Sequence, residues 1–326
     1  MVLCKKWIYA KTFTGAPEAG NFTLETEELP DQLKHGEVLC EAVFLSVDPY
    51  MRLFPVPVGS VMMGEQVARI SKSENTDYPV GTYVKTMDGW KTHTLYSDAS
   101  KLTKVQDLGD LPKSLALGAL GLPGLTAYFG FLEGCCPKST DTVFVNSAAG
   151  AVGMIVGQIA KIKGCKVVGS AGSDEKCKWL KESLGFDEVF NYKTKPLEAA
   201  LNDHAPNGLD CFFDNVGGED TTIVIKHMNK YGRTAICGAI SQYNKSKGDK
   251  GELPYSPILM NLLRVEGIQI MNYVQKWPEG LKQMSQWINE GKIKYKETVT
   301  EGFENMVSAF IGLFSGQHVG KAIVKP

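Results

Sequence analysis

The stretch Thr142-Val143-Phe144-Val145-Asn146 runs directly into Ser147-Ala148-Ala149-Gly150-Ala151-Val152-Gly153. An apolar strand, a glycine turn and a helix in that order place a helix N-terminus beside the carboxyl end of a strand. Backbone N–H groups at such a turn, with the positive end of the helix dipole, form a seat for a pyrophosphate. The segment therefore predicts a dinucleotide site in a parallel sheet. The pattern is A-x-G-x-x-G, with Ala148 where the first glycine usually stands. On its own it is a weak fingerprint.

The surrounding sequence strengthens it. Strands are predicted at 142–146, 165–169, 188–191, 209–213 and 233–237, with helices at 151–163, 174–184 and 219–229 between them. Alternation of this kind implies a parallel sheet covered on both faces. Gly150, Gly153 and Gly157 fall early on one helix face, where Gly153 allows close packing of helix on strand. Two further strands end in glycine turns, Asp214-Asn215-Val216-Gly217-Gly218 and Cys237-Gly238-Ala239-Ile240-Ser241. Ligands of open α/β sheets bind outside such carboxyl ends.

The end of the second strand selects between cofactors. An NAD site carries Asp or Glu about 20 residues past the glycines, on the ribose 2′-hydroxyl. Here the chain reads Val168-Gly169-Ser170-Ala171-Gly172-Ser173, with Lys176 close behind. A small, neutral strand end near a cation leaves room for a 2′-phosphate, so NADP is expected. Lys176 also fits a solvated helix lysine. Tyr192, after the third strand, is a candidate to close the same pocket or a surface packing residue.

Residues 1–110 differ. Short apolar runs at 37–45, 61–70, 82–86 and 93–96 are separated by Gly, Pro and Asp, which suggests a closed or folded-over antiparallel sheet. Glu25–Glu28 are expected to be solvated surface. Ser114–Gly121 predicts a short helix broken at Gly121-Leu122-Pro123-Gly124, with a second helix from Leu125. Helices are predicted at 258–266 and 278–290, and a strand at 319–324 that returns to the first domain. Asn244–Glu252, with two glycines and three lysines, is expected to be an exposed loop and a candidate lid.

Composition narrows the partners. With 326 residues, net charge −1 and eight cysteines, none in C-x-x-C spacing, the chain is expected to be a two-domain protein with free thiols. Neither a nucleic acid nor an anionic membrane is implied. No apolar run reaches the length of a membrane span, and no signal peptide is read at the N-terminus, so a cytoplasmic location is expected.

Taken together, Asp48-Pro49-Tyr50-Met51-Arg52, Met62-Met63-Gly64-Glu65-Gln66-Val67, Gly121–Tyr128, Ala148–Gly153, Asp214–Gly218, Cys237–Ser241 and Glu301-Gly302-Phe303-Glu304-Asn305 resemble the zinc-independent medium-chain reductases over the full length. The resemblance implies an α/β protein: a doubly wound Rossmann sheet inserted into a β-rich, partly open, GroES-like barrel. Domains are expected at 1–120 with 300–326, and at 121–299. The family is NADPH-dependent and usually homodimeric. It reduces the carbon–carbon double bond of α,β-unsaturated ketones and aldehydes, and some members oxidise allylic alcohols with NADP⁺.

By the same resemblance the cofactor lies on Gly150, Ala151, Val152 and Gly153, with Lys176 and Tyr192 near the 2′-phosphate. Further contacts are implied at Asn215, at Cys237, Gly238, Ala239, Ile240, Ser241, Gln242 and Tyr243, and at Ile268, Gln269 and Ile270. His318 stands where relatives have an Asn that contacts the cofactor; rim surface is the competing role. Met260 stands where relatives carry a substrate-pocket tyrosine. Tyr50, Tyr255 and Tyr273 are the candidate replacements, each also explicable as packing.

No catalytic metal is expected. Zinc relatives need Cys, His and a further Cys or acid around an open position. The corresponding segments here are Ser46-Val47-Asp48-Pro49 and Met63-Gly64-Glu65. The implied reaction sends a hydride to the β-carbon of an enone and leaves an enolate oxygen that needs hydrogen-bond donors, Tyr50 and Tyr255 being candidates. A zinc-independent quinone reductase and a nucleotide-binding protein without catalysis are the alternatives.

Overall fold

A computed structural model describes residues 1–54, 56–245 and 253–326. The chain divides into two compact units, Met1–Leu117 with Glu297–His318 and Ala322–Pro326, and Gly118–Lys296 with Val319–Lys321.

The first unit opens with β1 (Val2–Tyr9) and β2 (Phe22–Leu29), an antiparallel two-stranded sheet. β2 contains the acidic run expected to be plain surface. Its outer face is indeed wet, but Lys6 Nζ reaches Glu27 Oε2 at 2.6 Å across the ribbon, a cross-strand pair that suits a strand. β3 (Val38–Ser46), β4 (Gln66–Ser73), β5 (Tyr83–Thr86), β6 (His93–Tyr96) and β7 (Thr103–Lys104) follow. The strand expected at 61–70 starts only at Gln66; Val61 makes an isolated bridge to Ile8 instead. Lys113–Leu117 is a buried 3-10 turn rather than an α-helix.

The second unit begins with α1 (Leu122–Gly134). Pro123 lies in its first turn, where a missing N–H costs nothing, so the helix starts at Leu122, within the predicted break, and not at Leu125. Then come β8 (Thr142–Val145), α2 (Gly153–Ile162), β9 (Lys166–Ala171), α3 (Asp174–Leu184), β10 (Glu188–Asn191), α4 (Leu197–His204), β11 (Leu209–Asp214), α5 (Glu219–Lys226) and β12 (Met228–Ile236). Short α6 (Tyr255–Met260) precedes β13 (Arg264–Gly267), and α7 (Trp277–Asn289) closes the run. The helix predicted over 258–266 is therefore corrected. It stops at Met260, Leu262 adopts φ +51°, and the chain turns into an edge strand.

The six strands β8–β13 form one sheet in the order β10-β9-β8-β11-β12-β13, all pairings parallel. This is the doubly wound Rossmann order, which reverses at β8. Phe144, Phe190 and Phe212 stack through its core. Of the candidate lid at Asn244–Glu252, residues 246–252 lie outside the described residues.

The chain ends with β14 (Glu297–Glu301), α8 (Met306–Phe314) and β15 (Lys321–Lys325). β3 is shared along one edge: β6 pairs with Val38–Glu41 and β15 with Leu45 and Ser46, while β4 takes the other edge. The first-unit sheet so formed has seven strands. Its core gathers Phe22, Trp90, Met51, Met62 and Phe310. Among the described residues, no helix is long and apolar enough to cross a membrane.

Candidate functional site

The glycine turn is held by its neighbours. Ala148 N–H donates to Ser170 O at 2.9 Å, and Gly150 N–H to Ser147 O at 2.9 Å. Ala148 is fully buried, and a Cβ on Gly169 would lie 3.1 Å from its methyl group. The alanine in place of the first glycine is thus accommodated by a glycine on the adjacent strand. At Gly153 a Cβ would fall 2.5 Å from Ser147 O and 2.9 Å from Ala148 Cα, so only glycine lets α2 start this close to the turn. Gly157 faces Phe186, whose Cζ would be 1.9 Å from an added Cβ. Gly150 forms a parallel bridge to Gly320, which turns the Ala151 N–H toward Gly320 O, and among the described residues the Val152 N–H has no backbone acceptor. It is the free donor that a helix N-terminus offers an anion.

The carboxyl ends of β8, β11 and β12 are tied together at Asp214, by its buried carboxylate and its backbone carbonyl. Asp214 Oδ1 accepts from Asn146 Nδ2 at 2.7 Å and from the N–H groups of Val216 and Gly217, each at 2.9 Å. Its Oδ2 accepts from Thr221 Oγ1 at 2.5 Å. Asn215 N–H donates to Asn146 Oδ1 at 2.6 Å, and Cys237 N–H to Asp214 O at 2.8 Å. Sequence reasoning singled out Asn215 and missed Asn146 and Asp214 as organisers. A buried acid amid strand-end asparagines was the available signal.

The loop after β12 folds back on itself. Tyr243 Oη accepts from Ala239 N–H at 3.0 Å and lies 2.8 Å from where a Gly238 Cβ would be. Burial raises the Tyr243 hydroxyl above its ordinary pKa, and pushes the Cys237 thiol up to about 12. Gly217 and Gly218 adopt φ +72° and +70°, and added Cβ atoms would collide with Ala239 and Gln242. Gln242 Nε2 donates to Ser241 Oγ at 2.8 Å, while Gln242 Oε1 is buried with no partner among the described residues. Ile240 N–H donates to Asn215 O at 3.3 Å.

At the end of β9, Ser173 caps α3 through Lys176 N–H at 3.3 Å. The Lys176 ammonium is half-buried; burial first, then repulsion from Lys193, lowers its pKa. Tyr192 lies over Gly172, its Oη 2.8 Å from an added Cβ. The acid at the helix start is drawn aside, since Asn191 Nδ2 donates to Asp174 Oδ1 at 2.8 Å. Lys176, Lys193 and Tyr192 are thus grouped about Gly172, with Asp220 near enough to act on the Tyr192 hydroxyl.

The remaining candidates are placed as follows. The Ile268 side chain turns toward α1, 3.0 Å and 2.8 Å from added Cβ atoms at Gly130 and Gly134. Gln269 is exposed, and Ile270 O accepts from Trp277 Nε1 at 3.4 Å. Tyr255 and Met260 are 75% and 71% exposed on α6, and Tyr273 stacks on Phe129 at 5.3 Å. In the first unit, His318 Nε2 faces Ala309 O at 2.8 Å, which assigns the ring proton to that nitrogen. Tyr50 sits on a 3-10 turn (Pro49–Arg52), its hydroxyl buried with no partner among the described residues. Burial, reinforced by Asp48 and Glu65, raises its pKa far above the ordinary phenol value.

The zinc-ligand positions of the first unit do not fit a metal. Ser46 Oγ donates to Asp48 Oδ2, and Glu65 Oε1 takes the Lys85 ammonium at 3.1 Å. Met63 and Gly64 offer no nitrogen or thiolate ligand. Among the described residues, no three His, Cys, Asp or Glu side chains gather to hold a metal ion.

Comparison with known proteins agrees with this architecture. Residues 5–105 match the family described as the N-terminal domain of oxidoreductase, and residues 151–287 the family described as zinc-binding dehydrogenase. The chain is 52% identical over 337 residues to prostaglandin reductase 1 of Bos taurus, covering 100% of both chains. It is 39% identical over 333 residues to the NADP⁺-dependent 2-alkenal reductase of Nicotiana tabacum, covering 98% of this chain and 96% of that one. The solved structure of CurA from Vibrio vulnificus in complex with NADPH superposes with a TM-score of 0.91 at 36% identity, covering 98% of each chain. With these similarities over its whole length, and with no ligand set for the metal in the family description, the chain belongs to the prostaglandin reductase 1 family of the zinc-independent medium-chain dehydrogenases and reductases.

Proposed function

We propose that the protein reduces the carbon–carbon double bond of α,β-unsaturated ketones and aldehydes with NADPH. The observation that carries the cofactor half is the strand end at 168–173. It has no acid, a lysine whose ammonium is half-buried, and a neighbouring asparagine that draws Asp174 away. The names of the relatives, a prostaglandin reductase and an alkenal reductase, support the enone half.

The residues fit the cofactor. The Val152 N–H group would hold the pyrophosphate, Lys176 with Tyr192 the 2′-phosphate, and Gln242 Oε1 would accept from a cofactor donor. Asn215, the Cys237–Tyr243 loop and the backbone of 268–270 keep their proposed role along the nicotinamide half. When bound, NADPH supplies the hydride that reduces the β-carbon. What remains for the chain is orientation and charge. The enone oxygen gains negative charge and needs a donor that keeps its proton. Tyr50 is that donor in our reading: its raised pKa leaves it protonated throughout the neutral range. Tyr255 is the weaker candidate, because its side chain stands in solvent. The α-carbon takes its proton from water. His318 is read as a positioning residue of α8 rather than a cofactor ligand.

We further infer a cytoplasmic homodimer. All eight cysteines are free, as in a reducing compartment. β13 is an open sheet edge, and Tyr255, Leu259, Met260 and Leu262 beside it are more than half exposed. NADPH oxidation with a 15-oxoprostaglandin, simple 2-alkenals and ortho-quinones tests the reading. Turnover of the first two carries it. Background rates with both, or a clear preference for quinones with one-electron products, would end it.

A further inference from the structure

In the second unit Cys135, Cys136, Cys165 and Cys211 come together about one ion pair, Arg233 with Asp141. Reduction of an enone with NADPH makes no use of them.

Two of these thiols cross. Cys135 is the C-terminal cap of α1, and Cys211 lies in β11 between Val143 of β8 and Arg233 of β12. Cys211 Sγ donates to Cys135 O at 3.7 Å, and Cys135 Sγ donates to Phe212 O at 3.7 Å. Each sulfur reaches the backbone beside the other, which lays the two thiols side by side, within hydrogen-bond reach. Both residues are fully buried. The Cys135 backbone is fixed there: its N–H donates to Phe131 O at 2.9 Å, and its carbonyl accepts from Arg233 Nε at 2.8 Å. A base stands next to Cys211, whose Sγ also donates to Asp141 Oδ2 at 3.5 Å. That carboxylate is held in turn by the Lys138 N–H at 2.7 Å and by Arg233 Nη2. The other two thiols turn elsewhere. Cys165 Sγ donates to Lys138 O at 3.2 Å, and the exposed Cys136 Sγ to Glu133 O at 3.1 Å.

We propose that Cys135 and Cys211 are a modification site for a hydroperoxide, which converts them to a disulfide that staples the end of α1 to β11. In the first step one hydroperoxide oxygen passes to Cys135 Sγ: the O–O bond breaks, an S–O bond forms, the sulfur gives up two electrons and an alcohol leaves. In the second, Cys211 Sγ attacks that sulfur. The S–S bond forms, the S–O bond breaks, and the Cys211 proton passes through Asp141 to the departing hydroxide, which leaves as water. Two thiols thus lose two electrons, and one hydroperoxide is reduced to alcohol and water. The hydrogen bond with Cys135 first, then burial, raises the Cys211 pKa, so this thiol keeps its proton until the sulfenic acid stands beside it. The reaction is slow, paced by opening of the last turn of α1. Once made, the bridge closes a long loop of chain and removes freedom from the unfolded state.

The test treats the full-length protein, as wild type and as Cys136→Gly, with hydrogen peroxide. Alkylation in denaturant and mass spectrometry without reduction then map the bridges. Cys136→Gly removes the exposed thiol and with it bridges between copies through that residue; the site has φ +44°, which glycine adopts freely. A cross-linked Cys135–Cys211 peptide is expected in both proteins, lost on treatment with dithiothreitol. The thermal midpoint should stand about 5 °C or more above that of the reduced protein. Cys135→Ala and Cys211→Ala should each lose the peptide and the rise; where either fails to fold, the map of the wild type decides. Full alkylation of Cys135 and Cys211 after peroxide would overturn the proposal, as would a bridge from Cys135 to Cys165 in its place. A Cys135–Cys211 bridge that leaves the midpoint unchanged or lowers it would overturn the staple.

Discussion

Replacing Gly153 by Ala should damage cofactor binding out of proportion to its size. An added Cβ would lie 2.5 Å from Ser147 O and 2.9 Å from Ala148 Cα. Both are backbone atoms, so no side chain can swing aside. Restoring ordinary contact requires α2 to retreat from the turn by roughly 1 Å. Overpacking of this kind costs about 1–3 kcal/mol. The better helix propensity of alanine returns at most about 1 kcal/mol. The net loss of roughly 1–2 kcal/mol should lower the thermal midpoint by a few degrees. The larger effect falls on the ligand. The displaced segment carries the Val152 donor, and a hydrogen bond to a charged group is worth about 1.5–3 kcal/mol. Losing the equivalent of one such bond weakens NADPH binding about 10- to 100-fold. Titration of nicotinamide fluorescence, with thermal unfolding of the unliganded protein, measures both terms. Gly150→Ala is the comparison. Its nearest contacts would be Ser147 O and Oγ, both at 3.2 Å, so the neighbours need yield only slightly. If Gly153→Ala binds NADPH as tightly as the wild type with an unchanged midpoint, the assignment of this turn as the pyrophosphate seat is wrong.

Lys176→Ala should raise the KM for NADPH about ten-fold and leave that for NADH nearly unchanged, as steady-state kinetics with both cofactors will show. Tyr50→Phe removes a buried hydroxyl without a partner among the described residues, so it should leave stability unchanged or raise it by up to about 1 kcal/mol while lowering kcat; a destabilised variant with full activity would refute the donor role. Because burial, Asp48 and Glu65 all raise the Tyr50 pKa, the hydroxyl stays protonated as pH rises, and the kcat profile should show no loss from Tyr50 ionisation below about pH 10. Asp214→Asn turns an acceptor of four hydrogen bonds into a group that sets an NH₂ against some of its donors, which should cost about 2–4 kcal/mol in chemical denaturation and weaken NADPH binding with it.

The sequence was most informative where local chemistry and topology coincide. Strand, glycine turn and helix at 142–153, repeated through β12, leave few arrangements besides a parallel sheet. The acid-free end of β9 was equally open to inspection. Other features depend on residues far apart in the chain. Nothing near Gly157 announces Phe186, or near Ala148 the opposing Gly169, because each is a matter of volume across two elements. β2 was hidden by its acids, which a wet two-stranded ribbon tolerates by pairing them with Lys6. β13 was mistaken for a helix because Leu262 and Leu263 continue the apolar periodicity of α6. Only the positive φ of Leu262 turns the chain there.

The division of β3 between two partners has a bearing on how the protein comes into being. Val38–Glu41 find β6 within about sixty residues, but Leu45 and Ser46 wait for Val324 and Ile323. During vectorial synthesis that end of the strand stays uncapped while the whole second unit emerges. Closing so long a loop of free chain is slow and entropically costly, and prior folding of the intervening unit shortens what remains to be closed. Gly118–Lys296, all of the second unit but Val319–Lys321, is continuous in sequence and emerges before the final strand. The first unit is thus the late folder. The nascent chain carries an exposed sheet edge at Leu45–Ser46 that a chaperone would meet before the final strand does.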